Sequence, residues 1–283
     1  MEELNSENHH IGLLRHLKDI DDLRDSRDSG IESGQEGKAE EIAERIISYA
    51  ENNKSKIIIL FISTKKRTTE TAHLIISKIK NANPELKVIL SQNPDLVDLD
   101  HGEYILPPDY KSGDYYEPFR VAWEAFLTEA FDHDNPDYRF GDPKIKEDGS
   151  FSYPSMAGYF TGFGESQIDI NLRLYKAIID GYDMKERLFS DNIQNVVLTH
   201  SLPYAIFRQL VEVNRRVEEE GFKFEKGKLY KVCWEIYNNS NGEYDRGYGD
   251  LSDVEIDLLE SKKFVDLLKE EVEFLKSKYE KKI

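Results

Sequence analysis

Four short runs rich in β-branched residues recur along the chain: "IGLL" (11–14), "KIIILFIS" (56–63), "KVIL" (87–90) and "NVVLTH" (195–200). Each is nearly continuous in its hydrophobicity, which is the pattern of a strand buried on both faces of a mostly parallel sheet. Helical spacing fills the intervals. "AEEIAERIISYAEN" puts Ile42, Ile46 and Tyr49 on one stripe, and "RTTETAHLIISKI" does the same with Ala72, Ile75, Ile76 and Ile79. "SQIDINLRLYKAIIDGY" groups Ile168, Leu172, Tyr175 and Ile179, and "LPYAIFRQLVEVNRRVEEE" follows the last strand with Pro203 near its first turn. Strand and helix in alternation predict an α/β fold with right-handed crossovers and an open sheet. Any active site in such a fold lies at the carboxyl ends of the strands.

A length of 283 residues with 39% hydrophobic and 11% aromatic content suits a single domain over 1–283 with one sizeable insertion. Residues 105–163, rich in Tyr, Phe, Pro, Asp and Gly around a helical stretch "EPFRVAWEAFLTEAF", read as that insertion, folded over the core as a lid. Residues 250–283 read as a C-terminal amphipathic helix with Leu258, Leu259, Phe264, Leu267, Leu268 and Phe274 on one side. Its polar face mixes both charge signs, so docking onto the body or onto a second subunit of a homo-oligomer is expected in preference to a membrane surface. No apolar run approaches the roughly 18 residues of a membrane span, and the acidic, polar start "MEELNSENHH" is unlike a secretion signal, so a cytoplasmic location is expected. The one cysteine, Cys233, rules out an intrachain disulfide and reads as a small buried hydrophobe. A formal net charge of −17 opposes binding to nucleic acid.

If the strands are read correctly, their ends bring distinct chemistry to one rim. Arg15-His16 ends the first, Ser63 ends the second with Arg67 four residues on, and Thr199-His200-Ser201 ends another. Two guanidinium forks and two imidazoles together call for an anion, and the oxygens of a phosphoryl group match the forks well. A neutral His16 has the means to attack phosphorus while Arg15, Arg67 and a protonated His200 stabilise the equatorial oxygens, a scheme that needs no metal and no cofactor. The leaving alkoxide needs a proton, so a carboxylic acid is expected nearby. "GQEGKAEE" lacks the residues of a phosphate-binding P-loop, and no Gly-x-Ser-x-Gly elbow exists for a serine hydrolase.

Five segments in order resemble the histidine phosphatase superfamily, in its phosphoglycerate mutase-like branch. "LLRH" is similar to the strand-end Arg-His signature, and "STKKRTTETA" (63–72) to the serine-and-arginine segment. "LVDLDHGEY" (96–104) resembles the acidic segment, "GESQIDINLR" (164–173) the Gly-Glu-Ser to Arg helix opening, and "VVLTHS" the strand of the second histidine. The resemblance implies a three-layer α/β/α sandwich, a small phosphorylated substrate and a phosphohistidine intermediate on His16. It implies that Arg15, Arg67 and His200 bind the phosphate, with Ser201 beside them, and that Asp98 stands at the position of the acid. Three departures carry expectations of their own. Leu17 replaces the usual glycine after the histidine and is expected to narrow or reshape the phosphate site. Asp98 is one methylene shorter than the usual glutamate, and Asp22 falls where many members carry an asparagine.

Several of these residues have structural roles open to them. Arg15 and His16 are able to cap a strand end by pairing with Asp19 or Asp22. Glu165 and Ser166 are expected to open a helix, Ser166 as its cap and Glu165 orienting an arginine. His9-His10, His73 and His133 have no further ligands in the pattern and are read as ordinary polar residues, and no metal site is expected. The expected activity is that of a phosphomonoesterase. A phosphomutase or a catalytically weak module that binds a phosphorylated ligand are the alternatives. Insertion residues such as Tyr115, Trp123, Lys111, Arg120 and Arg139 offer rings and cations to an aromatic or nucleotide-like phosphate, or form the insertion's own core.

Overall fold

The computed structural model describes residues 11–20, 29–98, 100, 139, 144–145, 151–152, 164–188, 193–220, 227, 229 and 262–279. The chain divides into two compact units, one of residues 1–98 and 174–273 and the other of residues 99–173 and 274–283.

The first unit is built on a four-stranded sheet of β1 (Ile11–Arg15), β2 (Ile57–Ile62), β3 (Lys87–Gln92) and β6 (Ile193–Thr199), in the order β1-β6-β2-β3. Every pairing in it is parallel, so consecutive strands need helical crossovers. These are α1 (Glu36–Asn52), α2 (Lys66–Ala82), α3 (Gln167–Leu188) and α4 (Ser201–Glu220), with α5 (Lys262–Tyr279) toward the C-terminus. All four runs identified in the sequence are strands. The register aligns Arg15 with Thr199 and Ile62 with Leu198, which puts the ends of β1, β6 and β2 at one level.

Helices cover both faces of the sheet. On one, Leu14 and Leu17 pack with Ile42 and Ile46 of α1, Ile75 and Ile79 of α2, and the inward residues of β2 and β6 in one continuous core. On the other, Ile11, Leu13, Phe61 and Val197 meet Ala177 and Ile178 of α3 and Phe207 of α4 around a cavity of only about 20 Å³. The architecture is a three-layer α/β/α sandwich. Burying each Leu or Ile in such a core contributes about 1.5–3 kcal/mol, and alternate sides of one strand do so at once.

The helix stripes differ in detail from those expected. Along α3 the buried positions are Gln167, Ile168, Ile170, Asn171, Leu174, Tyr175, Ala177 and Ile178, whereas Leu172 and Ile179 are only half-buried. On α5 Phe264, Val265, Leu268, Val272 and Leu275 are buried and Leu267 and Phe274 half-buried, while Leu258 and Leu259 lie outside the described residues. Glu271 is also buried there, its carboxylate accepting from Gly227 N and Leu229 N.

In the second unit β4 (Lys144–Ile145) and β5 (Phe151–Ser152) form an antiparallel pair, and Arg139 bridges to Ser166. The opening of α3 is capped as its sequence predicts. Ser166 Oγ accepts from Asp169 N at 3.2 Å and Asp169 Oδ2 accepts from Ser166 N at 2.9 Å, a reciprocal box that satisfies two end groups. Glu165 grips Arg173 as a fork, at 2.6 Å to Nε and 2.9 Å to Nη2. Arg139 is engaged in the same place, 3.1 Å from Asp169 Oδ2. Most of 105–163 lies outside the described residues. Among the described residues no helix is long and apolar enough to cross a membrane.

Candidate active site

The strand ends carry the predicted residues to one buried point. Arg15, His16, Ser63, Arg67 and His200 are all buried despite their polarity, an arrangement that is costly unless the groups satisfy one another. The backbone locks the two histidine segments side by side, His16 N donating to Thr199 O at 3.0 Å, and the imidazole centroids are 5.2 Å apart with the rings tilted by 58°. His200 O accepts from Tyr204 N at the start of α4, so that helix opens directly beside the ring and lends its positive end to the rim.

The His16 ring is held by the adjoining backbone. Its Nδ1 donates to the Leu17 carbonyl at 2.7 Å, which leaves the lone pair on Nε2. Burial holds its pKa well below the ordinary 6.5, and the guanidinium charges of Arg67 and Arg15, like any charge on His200, push the same way against the opposing pull of the Leu17 carbonyl. The ring is therefore neutral at pH 7.

Arg67 is the hub. Its Nε donates to His200 Nδ1 at 3.2 Å and lies 3.8 Å from Asp19 Oδ2, and its Nη2 lies 3.5 Å from Asp98 Oδ2. A nitrogen that accepts from a guanidinium carries no proton, so His200 is neutral in this structure and its proton is on Nε2, facing Ser63 Oγ at 2.7 Å. This differs from the protonated His200 expected from sequence. Already flanked by one permanent cation, the imidazole serves Arg67 as an acceptor instead of carrying a second positive charge.

Leu17 corrects a second expectation. Its side chain is fully buried in the core beneath β1, packed with α1 and α2, and its N donates to Thr71 Oγ1 at 3.1 Å. The leucine side chain serves the core between the sheet and the helices α1 and α2. Asp98 is beside Arg67 as an ion-pair partner, and Ser201 is the first residue of α4, directly after His200, with its side chain outside the described residues. Asp22 and His101 also lie outside them, and His73 is exposed on α2.

Asp19, expected from the sequence only as a strand-end partner of Arg15 and His16, pairs with Arg67 instead, and Thr68 had no expected role. Asp19 approaches Arg67 because its own segment is folded back, by a bridge to Ile31 and a 3.5 Å bond from Ser29 Oγ. Its position three residues after His16 was the available signal. Thr68, adjacent to Arg67, accepts or donates with Ser63 Oγ at 2.8 Å. Among the described residues no group of three or more potential metal ligands is assembled.

No protein-family profile matches the chain, and no curated protein matches it in sequence. Solved structures do. A mycobacterial glucosyl-3-phosphoglycerate phosphatase is 14% identical, with 72% of this chain and 79% of that one covered at a TM-score of 0.44. A phosphoglycerate mutase from Bacillus anthracis str. Sterne is 16% identical over 78% and 86%, with a TM-score of 0.43. An alpha-ribazole phosphatase from Shigella flexneri is 11% identical over 71% and 79%, with a TM-score of 0.41. By name these are two phosphatases and a mutase.

Proposed function

We propose that this chain is a phosphatase that hydrolyses a small phosphomonoester through a phosphohistidine on His16. The observation that carries the reading is the state of His16: neutral, buried, its Nδ1–H committed to the Leu17 carbonyl and its Nε2 lone pair among Arg15, Arg67 and His200. An imidazole that only capped a strand would have no need of two neighbouring arginines.

In the first step the Nε2 lone pair bonds to phosphorus as the bond from phosphorus to the leaving oxygen breaks. Arg15 and Arg67 neutralise the charge that spreads over the three equatorial oxygens, and their guanidinium charge makes the step independent of a metal ion. The phosphoryl oxygens compete with Asp98 for Arg67, and the displaced carboxylate, once it has taken a proton from solvent, is the candidate to give that proton to the leaving oxygen. In the second step water attacks the phosphohistidine, its proton passes to the carboxylate, and the nitrogen–phosphorus bond breaks to restore neutral His16.

The test is phosphate release from an aryl phosphate and a panel of sugar and nucleotide monophosphates in EDTA, comparing the wild type with His16→Ala. Release that vanishes in the variant supports the phosphatase. Product analysis with a substrate bearing a second hydroxyl identifies a mutase, and phosphate binding without turnover across the panel identifies a binding module.

A further inference from the structure

We propose that Ser63 and Thr68 are positioning residues for His200, forming a one-way hydrogen-bond chain that fixes its neutral ring with the proton on Nε2. The inference rests on the phosphatase reading only for its catalytic consequence.

The direction of the chain follows from which atoms own protons. Arg67 Nε always carries one and gives it to His200 Nδ1 at 3.2 Å, so the ring proton belongs to Nε2 and points at Ser63 Oγ, 2.7 Å away. Thr68 Oγ1 donates to the Lys65 carbonyl at 2.7 Å, with the Ser63 carbonyl a second acceptor at 3.0 Å. Its hydrogen is thereby spent, and at its 2.8 Å contact with Ser63 Oγ the threonine accepts and the serine donates. Lys65 N reaches Ser63 Oγ at 3.3 Å as a further donor. Ser63 Oγ thus accepts the hydrogen bond from His200 Nε2–H and donates its own O–H to Thr68 Oγ1.

Ser63, Thr68 and His200 are each 0% exposed, so bulk water offers none of them a substitute partner. Arg67 alone is a poor lock, because Asp19 and Asp98 both stand beside its guanidinium as rival acceptors. Remove the serine hydroxyl and the arginine is at liberty to turn to the carboxylates, which frees Nδ1 to take the ring proton. The chain therefore decides which nitrogen of His200 carries the ring proton, and so whether Nδ1 accepts from Arg67.

The experiment reads the ring nitrogens of His200 directly, by long-range proton–nitrogen correlation on the full chain labelled at histidine, with His200→Gln to assign the signal. The wild type is expected to show the Nε2–H form alone. Ser63→Ala and Thr68→Val, the second nearly isosteric, are expected to populate the Nδ1–H form, and Thr68→Ser, which keeps the hydroxyl, to restore the wild-type pattern. Turnover of an aryl phosphate should fall about tenfold in kcat for Ser63→Ala and Thr68→Val with KM little changed, the size seen when a residue that orients a ligating or catalytic group is lost. A wild-type ring carrying its proton on Nδ1 overturns the proposal, and so does the wild-type tautomer persisting in both hydroxyl-deleted variants. If the tautomer shifts as described while no protein, wild type included, releases phosphate, the chain stands and the phosphatase reading fails.

Discussion

Asp98 and Arg67 face each other across 3.5 Å, Oδ2 to Nη2, with the arginine 8% exposed and the aspartate 32%. The half-open carboxylate is the movable partner and the buried guanidinium the fixed one. On the proposed mechanism an anion bound to Arg67 competes with Asp98 for the guanidinium. On that mechanism Asp98→Asn removes the competitor and the proposed proton donor together. Inorganic phosphate should inhibit the variant more tightly than the wild type, while kcat on an alkyl phosphate falls about 100-fold. An activated aryl phosphate, whose leaving group needs no proton, should lose far less. Equal losses on both esters would remove Asp98 from the acid's role.

The neutral, buried His16 makes stability depend on pH in a definite direction. Its folded pKa lies well below the unfolded value of about 6.5, so below that pH the unfolded chain binds a proton that the folded chain refuses. Stability from this group is complete above about pH 6.5 and declines as the pH falls toward the depressed folded value. Denaturant midpoints measured from pH 8 to pH 5 should fall in the wild type and fall less in His16→Gln, which has no proton to gain. An unchanged slope would mean that His16 titrates alike in the folded and unfolded chains, without a depressed pKa.

The strands were legible because residues buried on both faces leave continuous β-branched runs, and the rim was legible because Arg15-His16, Ser63 and His200 stand at the ends of those runs. What sequence withheld was pairing through space. Asp19 meets Arg67 only because Glu32 N bonds to Lys18 O and Ile20 N to Gly30 O, closing a loop on the segment after β1. Nor does spacing reveal that a buried amide, Asn171, belongs to the inward stripe of α3, since a hydrophobic pattern assigns such positions to the outside. The neutrality of His200 is a third case: residue types named a cation, and only the direction of the Arg67 hydrogen bond shows an acceptor.

Leu17 separates a core role from a pocket role. Fully buried among Leu14, Ile42 and Ile75, it should cost about 2–5 kcal/mol when cut to alanine, the range for a buried leucine that leaves a cavity. Because its N–H to Thr71 is a main-chain bond and survives the change, the affinity for phosphate should stay within about twofold at a temperature where the variant is folded, as expected of sites that share no side-chain contact. Phosphate affinity rising severalfold in Leu17→Ala would instead place the side chain at the pocket.

Glu70 holds the segment that delivers Asp19. Its Oε2 accepts from Ile31 N at 2.8 Å, and Ile31 bridges to Asp19. Gly30 lies directly against the same carboxylate, so that a Cβ at position 30 would collide with Glu70 Oε2, although the backbone there needs no left-handed φ. Glu70→Ala removes the acceptor and should cost about 1–3 kcal/mol, the penalty for leaving a partly buried N–H unsatisfied. Gly30→Ala should cost a comparable amount by pushing the carboxylate off Ile31. The two losses share one cause and should not add: in the Glu70→Ala background, with the colliding atoms gone, Gly30→Ala is expected to be nearly neutral. Denaturant midpoints of the four proteins test this, and strictly additive losses would show that Gly30 and Glu70 act on different parts of the loop.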